Sequence, residues 1–249
     1  MKTHRPLLLV SLLAALPLPA LPSPLAAQRS LVIERFESDL RVEANGDVQV
    51  TETISPRFSG SWNGIYRDLS LEHQNAEGHR ERLDVDLLSV TDASGQPLRH
   101  EESSQGRWTR RFQVWIPGAE DATRTMVIRY VVHNAIRFFG EGSETGPLDE
   151  LYWNATGNNW EVPIEAASAR IVLPEGVTPT QSAGYTGRAG STEQAVRIAT
   201  RGSTVTFTAT RSLAPGEGLT VAAGWPPGSV ARPGAVSGVG RDLGRWGPL

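Results

Sequence analysis

Apolar and polar residues alternate along most of the chain between residues 28 and 228. Alternation at every second position, with β-branched and aromatic residues at the apolar positions, is typical of strands that bury one face. Turn-forming Gly, Pro and Asn residues separate these segments, and none of them has the period of a three-turn amphipathic helix. The clearest alternation is found in segments 47–54, 83–87, 112–116, 126–132, 169–173, 205–209 and 219–223.

The pattern predicts an all-β fold, specifically an antiparallel β-sandwich with little helix outside the N-terminal leader. The chain has 249 residues, which is enough for one large β domain with a substantial core. It contains no Cys, so packing and hydrogen bonds rather than disulfides have to stabilise it.

The first residues have the order of a secretory signal peptide. Lys2 and Arg5 precede an apolar run over residues 7–21, and small residues follow before the first polar ones. This order predicts a signal peptide over residues 1–27 and an exported protein. A short uncleaved N-terminal anchor is the alternative.

The last residues, 229–249, are rich in Gly, Pro and Arg and show neither a strand period nor a helix period. Such a composition predicts a disordered tail. The β domain is therefore expected to span residues 28–228. As given, the mature chain holds no apolar run of about 18 residues that could form a transmembrane helix.

Charge and residue usage exclude several chemistries. The formal net charge of -3 argues against nucleic acid as a partner, because such proteins carry a strongly basic surface. No nucleophile elbow or phosphate-binding loop is present. The histidines after the leader also lack the spacing of metal ligands. From these absent motifs we predict no catalytic residue, no metal and no cofactor. These histidines are His73, His79, His100 and His133.

Two stretches, 58–69 and 149–164, depart from the alternation and concentrate aromatic residues and amides in turn-like sequence. The second combines flat rings with amide groups, which are the residue types that stack on sugars or hold extended peptides. Alternatively, its Trp residues fill the core while its amides complete a turn around Gly157. The candidate ligand-binding residues are Tyr152, Trp153, Asn154, Asn158, Asn159 and Trp160.

Asp149 and Glu150 stand directly before these aromatics and raise the alternative of a carbohydrate-active hydrolase. Glycosidases use two carboxyl groups about 5–9 Å apart across the scissile bond. Adjacent residues on a strand point to opposite faces, so these two acids cannot form that pair by themselves. A hydrolase would have to recruit Glu161 or Glu165.

Glu52 lies on the apolar side of its predicted strand, the side that also carries Val50 and Ile54. A carboxylate that faces a core needs a partner. Arg67, in the first unusual stretch, is the predicted partner in a bidentate ion pair that ties that stretch to the sheet. Alternatively, Glu52 lies near water at a strand end.

Three segments together resemble the DUF2207 family, the exported N-terminal domain of YciQ-type predicted membrane proteins. They are Val50-Thr51-Glu52-Thr53-Ile54 with Gly64-Ile65-Tyr66-Arg67-Asp68, then Asp149-Glu150-Leu151-Tyr152-Trp153-Asn154 with Gly157, Trp160 and Val162-Pro163-Ile164, and finally Leu213 to Val221 with Trp225-Pro226. The resemblance covers about residues 30–228. It implies a β-rich domain outside the bacterial cytoplasmic membrane, usually followed by transmembrane helices, with no established activity.

The function expected from the sequence is that of an exported, non-enzymatic interaction module of the cell envelope, with a protein or glycan ligand. Its expected location is the periplasm or the exterior, with membrane association if the native chain continues past Leu249. The alternative is the hydrolase that uses carboxylates near Asp149 and Glu150.

Overall fold

The computed structural model describes residues 29–144 and 146–232, a part of the chain that is built from strands and turns. It contains no helix long and apolar enough to span a bilayer in those ranges. The strands are β1 (Ser30–Val42), β2 (Val48–Ser59), β3 (Gly64–Ser70), β4 (Glu72–Gln74), β5 (Arg80–Arg82), β6 (Asp84–Asp92), β7 (His100–Ser104), β8 (Thr109–Trp115), β9 (Met126–His133), β10 (Ile136–Phe139), β11 (Leu148–Asn154), β12 (Ile164–Val172), β13 (Gln181–Gly187), β14 (Val196–Arg201), β15 (Thr204–Ala209) and β16 (Gly218–Trp225).

The described strands form four sheets. The largest has the order β14-β15-β12-β1-β2-β9-β6, and the others have the orders β10-β11-β16-β13, β3-β8-β7 and β4-β5. The all-β prediction is confirmed. The described strand pairs are antiparallel, as expected, except that β1 and β12 run parallel and make the largest sheet mixed. Alternation reports which face of a strand is buried, and it carries no information about the direction of the neighbouring strand. A two-layered sandwich stays a prediction.

One hydrophobic core joins the seven-, four- and three-stranded sheets. It is built from the inward-facing residues of strands in which buried and exposed positions alternate. Examples are Phe36 on β1, Phe112 on β8, Phe207 on β15 and Val221 on β16, all of which are inaccessible to solvent. This single core holds the smaller sheets in fixed positions against the large one.

Both stretches that the sequence marks as turn-like contain strands. β3 overlaps the end of 58–69 and pairs with β8, and β11 overlaps the start of 149–164 and pairs with β10 and β16. Here pairing with neighbouring strands outweighs the turn-forming tendency of the local sequence. The sheets therefore place Tyr66, Tyr152 and Trp153, whereas Trp62 and Trp160 lie between strands.

The chain remains in contact with the domain beyond the predicted end at Gly228. Val230 is buried in the core, and the Ala231 amide donates a hydrogen bond to the Ala44 carbonyl at 2.8 Å. The remainder of the predicted tail, 233–249, and the predicted signal peptide, 1–27, lie outside the described residues.

Candidate functional site

The two aromatic-rich stretches meet at one groove with a cavity volume of about 550 Å³. β3 and β8 form one wall of the groove, and residues 159–162, Arg29 and Leu31 line the rest of it. The groove is rich in aromatic rings and guanidinium groups. Its side chains include Arg29, Trp62, Tyr66, Asp68, Arg111, Trp115, Asn159 and Glu161.

The pairing of β3 with β8 determines which side chains form the first wall. Tyr66 lies opposite Gln113, and Asp68 lies opposite Arg111. Directly opposed residues share a sheet face, so these side chains project together, while the neighbouring Arg67 points to the core. The same face carries Trp115, on the polar side of its strand.

Arg111 holds this wall in a defined arrangement. Its Nε and Nη2 atoms donate to the two carboxylate oxygens of Asp68 at 2.6 and 2.7 Å. The Arg111 guanidinium also lies 4.8 Å from the centre of the Tyr66 ring. The hydrogen bond to Asp68 raises the pKa of Arg111. Tyr66 is 53% exposed and is thereby presented to solvent on a fixed support.

Just before β3 in the chain, a second aromatic ring of the groove is paired with a guanidinium. Arg29 stacks over Trp62 at 5.0 Å and donates to the Ser61 carbonyl at 3.2 Å. The indole N–H of Trp62 donates to the Ser59 carbonyl at 3.0 Å. Both ring–guanidinium pairs are therefore held by hydrogen bonds within the protein.

Beneath the groove, Arg67 and Glu52 form a buried bidentate ion pair, in the geometry that the sequence predicts. Arg67 Nε donates to Glu52 Oε2 at 2.7 Å, and Nη2 donates to Oε1 at 2.6 Å. Tyr130 donates its hydroxyl to Glu52 Oε1 at 2.7 Å. Glu52 is completely buried, so the alternative position near water is wrong.

The electrostatics of this cluster follow from its burial. Burial disfavours the charged guanidinium of Arg67, but the charge and hydrogen bonds of Glu52 outweigh that effect and raise the pKa of Arg67. Burial also raises the pKa of Tyr130 well above its ordinary value. Tyr130 therefore remains protonated and keeps donating to the carboxylate.

The six residues predicted as one ligand-binding surface do not lie together. Trp153 and Trp160 are only 4% and 7% exposed and belong to the core. Trp160 makes an edge-to-face contact with Phe36 at 6.0 Å and donates its indole N–H to the Thr156 carbonyl at 2.8 Å. The structure thus supports the core interpretation for both Trp residues.

The amides mainly complete a turn. Asn154 accepts a hydrogen bond from the Gly157 amide at 3.0 Å and donates to Asn158 at 2.6 Å. Asn158 in turn donates to the Gly187 carbonyl at 2.9 Å. Asn159 is exposed and lines the groove.

Tyr152 faces a different part of the molecule. The guanidinium of Arg137 lies 4.5 Å from the centre of its ring. Burial raises the pKa of its hydroxyl. It lines a separate cavity of about 260 Å³ together with Asn158 and Tyr185. Among the six predicted residues, only Asn159 and Trp160 line the main groove.

The carboxylates of the hydrolase alternative are dispersed. Asp149 is completely buried, accepts a hydrogen bond from the Gly228 amide at 3.2 Å, and has its pKa raised by burial. Glu150 points the other way, pairs with Arg137 at 3.4 Å, and also has its pKa raised by burial. Glu165 forms an exposed ion pair with Arg57 at 2.6 Å. Of these acids only Glu161 lines the groove.

Within residues 29–144 and 146–232, no three His, Asp or Glu side chains are grouped so as to hold a metal ion.

The groove residues Arg29, Arg111 and Trp115 are not among those predicted from the sequence. Trp115 did leave a signal, since the alternation of Phe112, Val114 and Ile116 places it on the solvent side of β8.

Comparison with known proteins identifies the family. Residues 32–225 match the family described as "Predicted membrane protein (DUF2207) N-terminal domain". The chain belongs to this family. The resemblance seen in the three sequence segments is thereby confirmed, and the match covers all the walls of the groove except its first residues. The family's description is that of the N-terminal domain of a predicted membrane protein.

No curated protein matches the chain. Among solved structures, leukotriene A4 hydrolase from Saccharomyces cerevisiae is 11% identical with a TM-score of 0.47, and the alignment covers 78% of this chain and 29% of that one. The M1 zinc metallopeptidase from Deinococcus radiodurans is 14% identical with a TM-score of 0.38, covering 78% and 43%. The chain thus spans less than half the length of either protein.

Proposed function

We propose that this DUF2207 domain is an exported, non-enzymatic interaction module of the bacterial cell envelope that binds a protein or glycan ligand in the groove. Family membership supports a role at the membrane, and the signal-like leader over residues 1–27 supports export. The observation that carries the binding role is the half-exposed Tyr66 ring, held by the Asp68–Arg111 pair at the mouth of the groove.

The shape and rigidity of the groove suit recognition. Its volume of about 550 Å³ lies within the roughly 300–1,000 Å³ typical of ligand sites. Arg111 and Arg29 already have hydrogen-bond partners within the protein, so binding does not have to order them. Such preorganisation reduces the entropy lost on association.

The charged groups of the groove also favour binding over hydrolysis. Hydrolysis of a glycosidic bond uses two carboxyl groups, one as acid and one as base or nucleophile. Both carboxylate oxygens of Asp68 are engaged by Arg111. Among the groove residues, Glu161 therefore has no second free carboxyl group with which to form a catalytic pair. Asp149 and Glu150 are engaged elsewhere.

The proposal is tested by co-sedimentation of the purified protein with two envelope fractions, peptidoglycan sacculi and washed membranes. We expect saturable binding to at least one fraction, and a loss of at least roughly tenfold in affinity for Tyr66→Ala and Trp115→Ala. Tyr152→Ala is the matched control, because that ring lines the other cavity, and it should bind like the wild type. Equal binding by all four proteins, or release of soluble sugars from the sacculi, would contradict the proposal.

A further inference from the structure

The outer edge of β3 has no partner strand in the described structure. β3 is the terminal strand of its sheet and pairs only with β8. The hydrogen bonds from Ile116 N to Asn63 O at 3.0 Å and from Leu71 N to Trp108 O at 2.8 Å fix the phase of the ladder. Since bonded and non-bonded positions alternate in antiparallel pairs, Gly64, Tyr66 and Asp68 direct their amide and carbonyl groups away from β8.

This free edge opens into the groove. Gly64, Tyr66 and Asp68 all line it. The Asp68 carbonyl accepts a hydrogen bond from Arg67 Nη1 at 2.6 Å and is therefore occupied. No backbone hydrogen bond joins Gly64 or Tyr66 to residues 159–162, which line the same groove. Gly64 and Tyr66 thus present unpaired backbone donors and acceptors to the groove.

We infer that the groove binds an extended polypeptide segment, which adds to β3 as a further strand. This inference rests on the proposed binding function and specifies its ligand class. An extended peptide offers alternating amide and carbonyl groups at the spacing of the free edge, as in other strand-addition complexes. A sugar offers hydroxyl groups without that repeat, so the edge itself favours the peptide.

The walls specify the side chains of this peptide. Alternate residues of an added strand lie on the same face as Tyr66 and can stack against its ring and that of Trp115. The Asp68–Arg111 pair is internally neutral, and the remaining charges, Arg29 and Glu161, have opposite signs. The matching segment therefore carries no net charge and has aromatic or long aliphatic residues at alternate positions.

The first experiment uses a pool of blocked pentapeptides with Thr at the odd positions and Leu, Val, Phe or Tyr at the even ones. Binding to the full protein is measured by calorimetry, and the tightest peptide is then N-methylated at either alternate set of amides. One set faces β3 and the other faces away. We expect roughly tenfold or greater loss for one set only, because each blocked hydrogen bond contributes to binding. No binding by the pool at millimolar concentration, or equal effects of both sets, would overturn the inference.

The second experiment removes the donor from the protein. Tyr66→Pro lacks the outward amide hydrogen and the ring, whereas Tyr66→Ala lacks only the ring, so we expect Tyr66→Pro to bind at least severalfold more weakly. Ser104→Pro is the matched control. By the same phase argument its amide faces outward on β7, at the opposite edge of the same sheet, away from the groove. Equal affinities of Tyr66→Pro and Tyr66→Ala would contradict strand addition, and if Tyr66→Pro fails to fold, the N-methylated peptides decide.

A titration with a glycan distinguishes a failure of this inference from a failure of the proposed function. Chitotetraose is titrated into the same proteins. Binding of chitotetraose that is lost in Tyr66→Ala, without binding of any peptide, would overturn strand addition while leaving the groove as a binding site. Absence of binding to both probes and to both envelope fractions would overturn the proposed function as well.

Discussion

Arg67 on β3 and Glu52 on β2 are joined inside the core by two hydrogen bonds of 2.7 and 2.6 Å. The pair connects the three-stranded sheet to the seven-stranded sheet. The third guanidinium nitrogen of Arg67 holds the Asp68 carbonyl, and Gly157 packs against it. One buried cation therefore positions both β3 and the turn that leads to residues 159–162, which are the two sides of the groove.

Removal of one partner of this pair should destabilise the protein strongly. Glu52→Gln leaves the Arg67 charge buried without its counter-charge, and a loss of about 3–5 kcal/mol in the free energy of unfolding is expected. Denaturant titration measures it. Glu165→Gln is the matched control, since it breaks an ion pair of 2.6 Å at the surface and should change stability by at most about 1 kcal/mol.

The double variant Glu52→Leu with Arg67→Met tests the physical reason. It removes both charges, so it should be less destabilised than Glu52→Leu alone. If the two losses simply added, the buried charge would not be the cause of the instability.

Gly157 should tolerate no side chain. Its φ is +76°, and a Cβ there would lie 2.7 Å from Arg67 Nη1. We expect Gly157→Ala to combine backbone strain of about 1–2 kcal/mol with displacement of the guanidinium. Gly176→Ala is the control, because Gly176 has a similar φ of +81° but an added Cβ would meet nothing within 4 Å beyond its chain neighbours. Equal losses of stability for the two variants would show that Arg67 does not restrict position 157.

Much of the fold was accessible from the sequence because period-two alternation reports burial directly. The same pattern predicted the ion pair, since Glu52 interrupts an otherwise apolar strand face. The alternation does not indicate β1, because the pairing of β1 with β2 shifts register between Ile33 and Arg35 and this shift breaks the alternation. β7 escaped because all its residues are exposed, so no apolar face marks it.

The groove could not be predicted because its walls come from segments far apart in sequence. Tyr66, Arg111 and Asn159 line one groove only once β3 has paired with β8 and the second aromatic stretch has packed close to them. Local residue composition indicated that residues 149–164 were unusual. It could not show that Trp153 and Trp160 point inward, because an aromatic ring suits a core and a binding surface equally well.

The aromatic residues of the core and of the groove should respond differently to truncation. Trp153→Ala removes a buried ring and should lower the free energy of unfolding by about 3–5 kcal/mol. Tyr66→Ala removes a half-exposed ring and should change it by roughly 1 kcal/mol or less. Thermal and denaturant unfolding of the two variants check this. A Trp153→Ala protein of wild-type stability would make Trp153 a candidate ligand contact again.

Acidification should destabilise the fold through His73 on β4. Burial, reinforced by the charge of Arg137, lowers the pKa of His73 from 6.5 to about 4, so the folded protein holds the ring neutral. The unfolded chain binds a proton there as the pH falls below 6.5, and the free energy of unfolding should decrease between pH 6.5 and 4 by up to about 3 kcal/mol from this residue.

Carboxylates contribute to acid unfolding in the same range, so the comparison is made with His73→Gln, which should lack this part of the decrease. His79→Gln, at an exposed position beside the same strand pair, should follow the wild type. Parallel stability curves for the wild type and His73→Gln would show that His73 is not the responsible group.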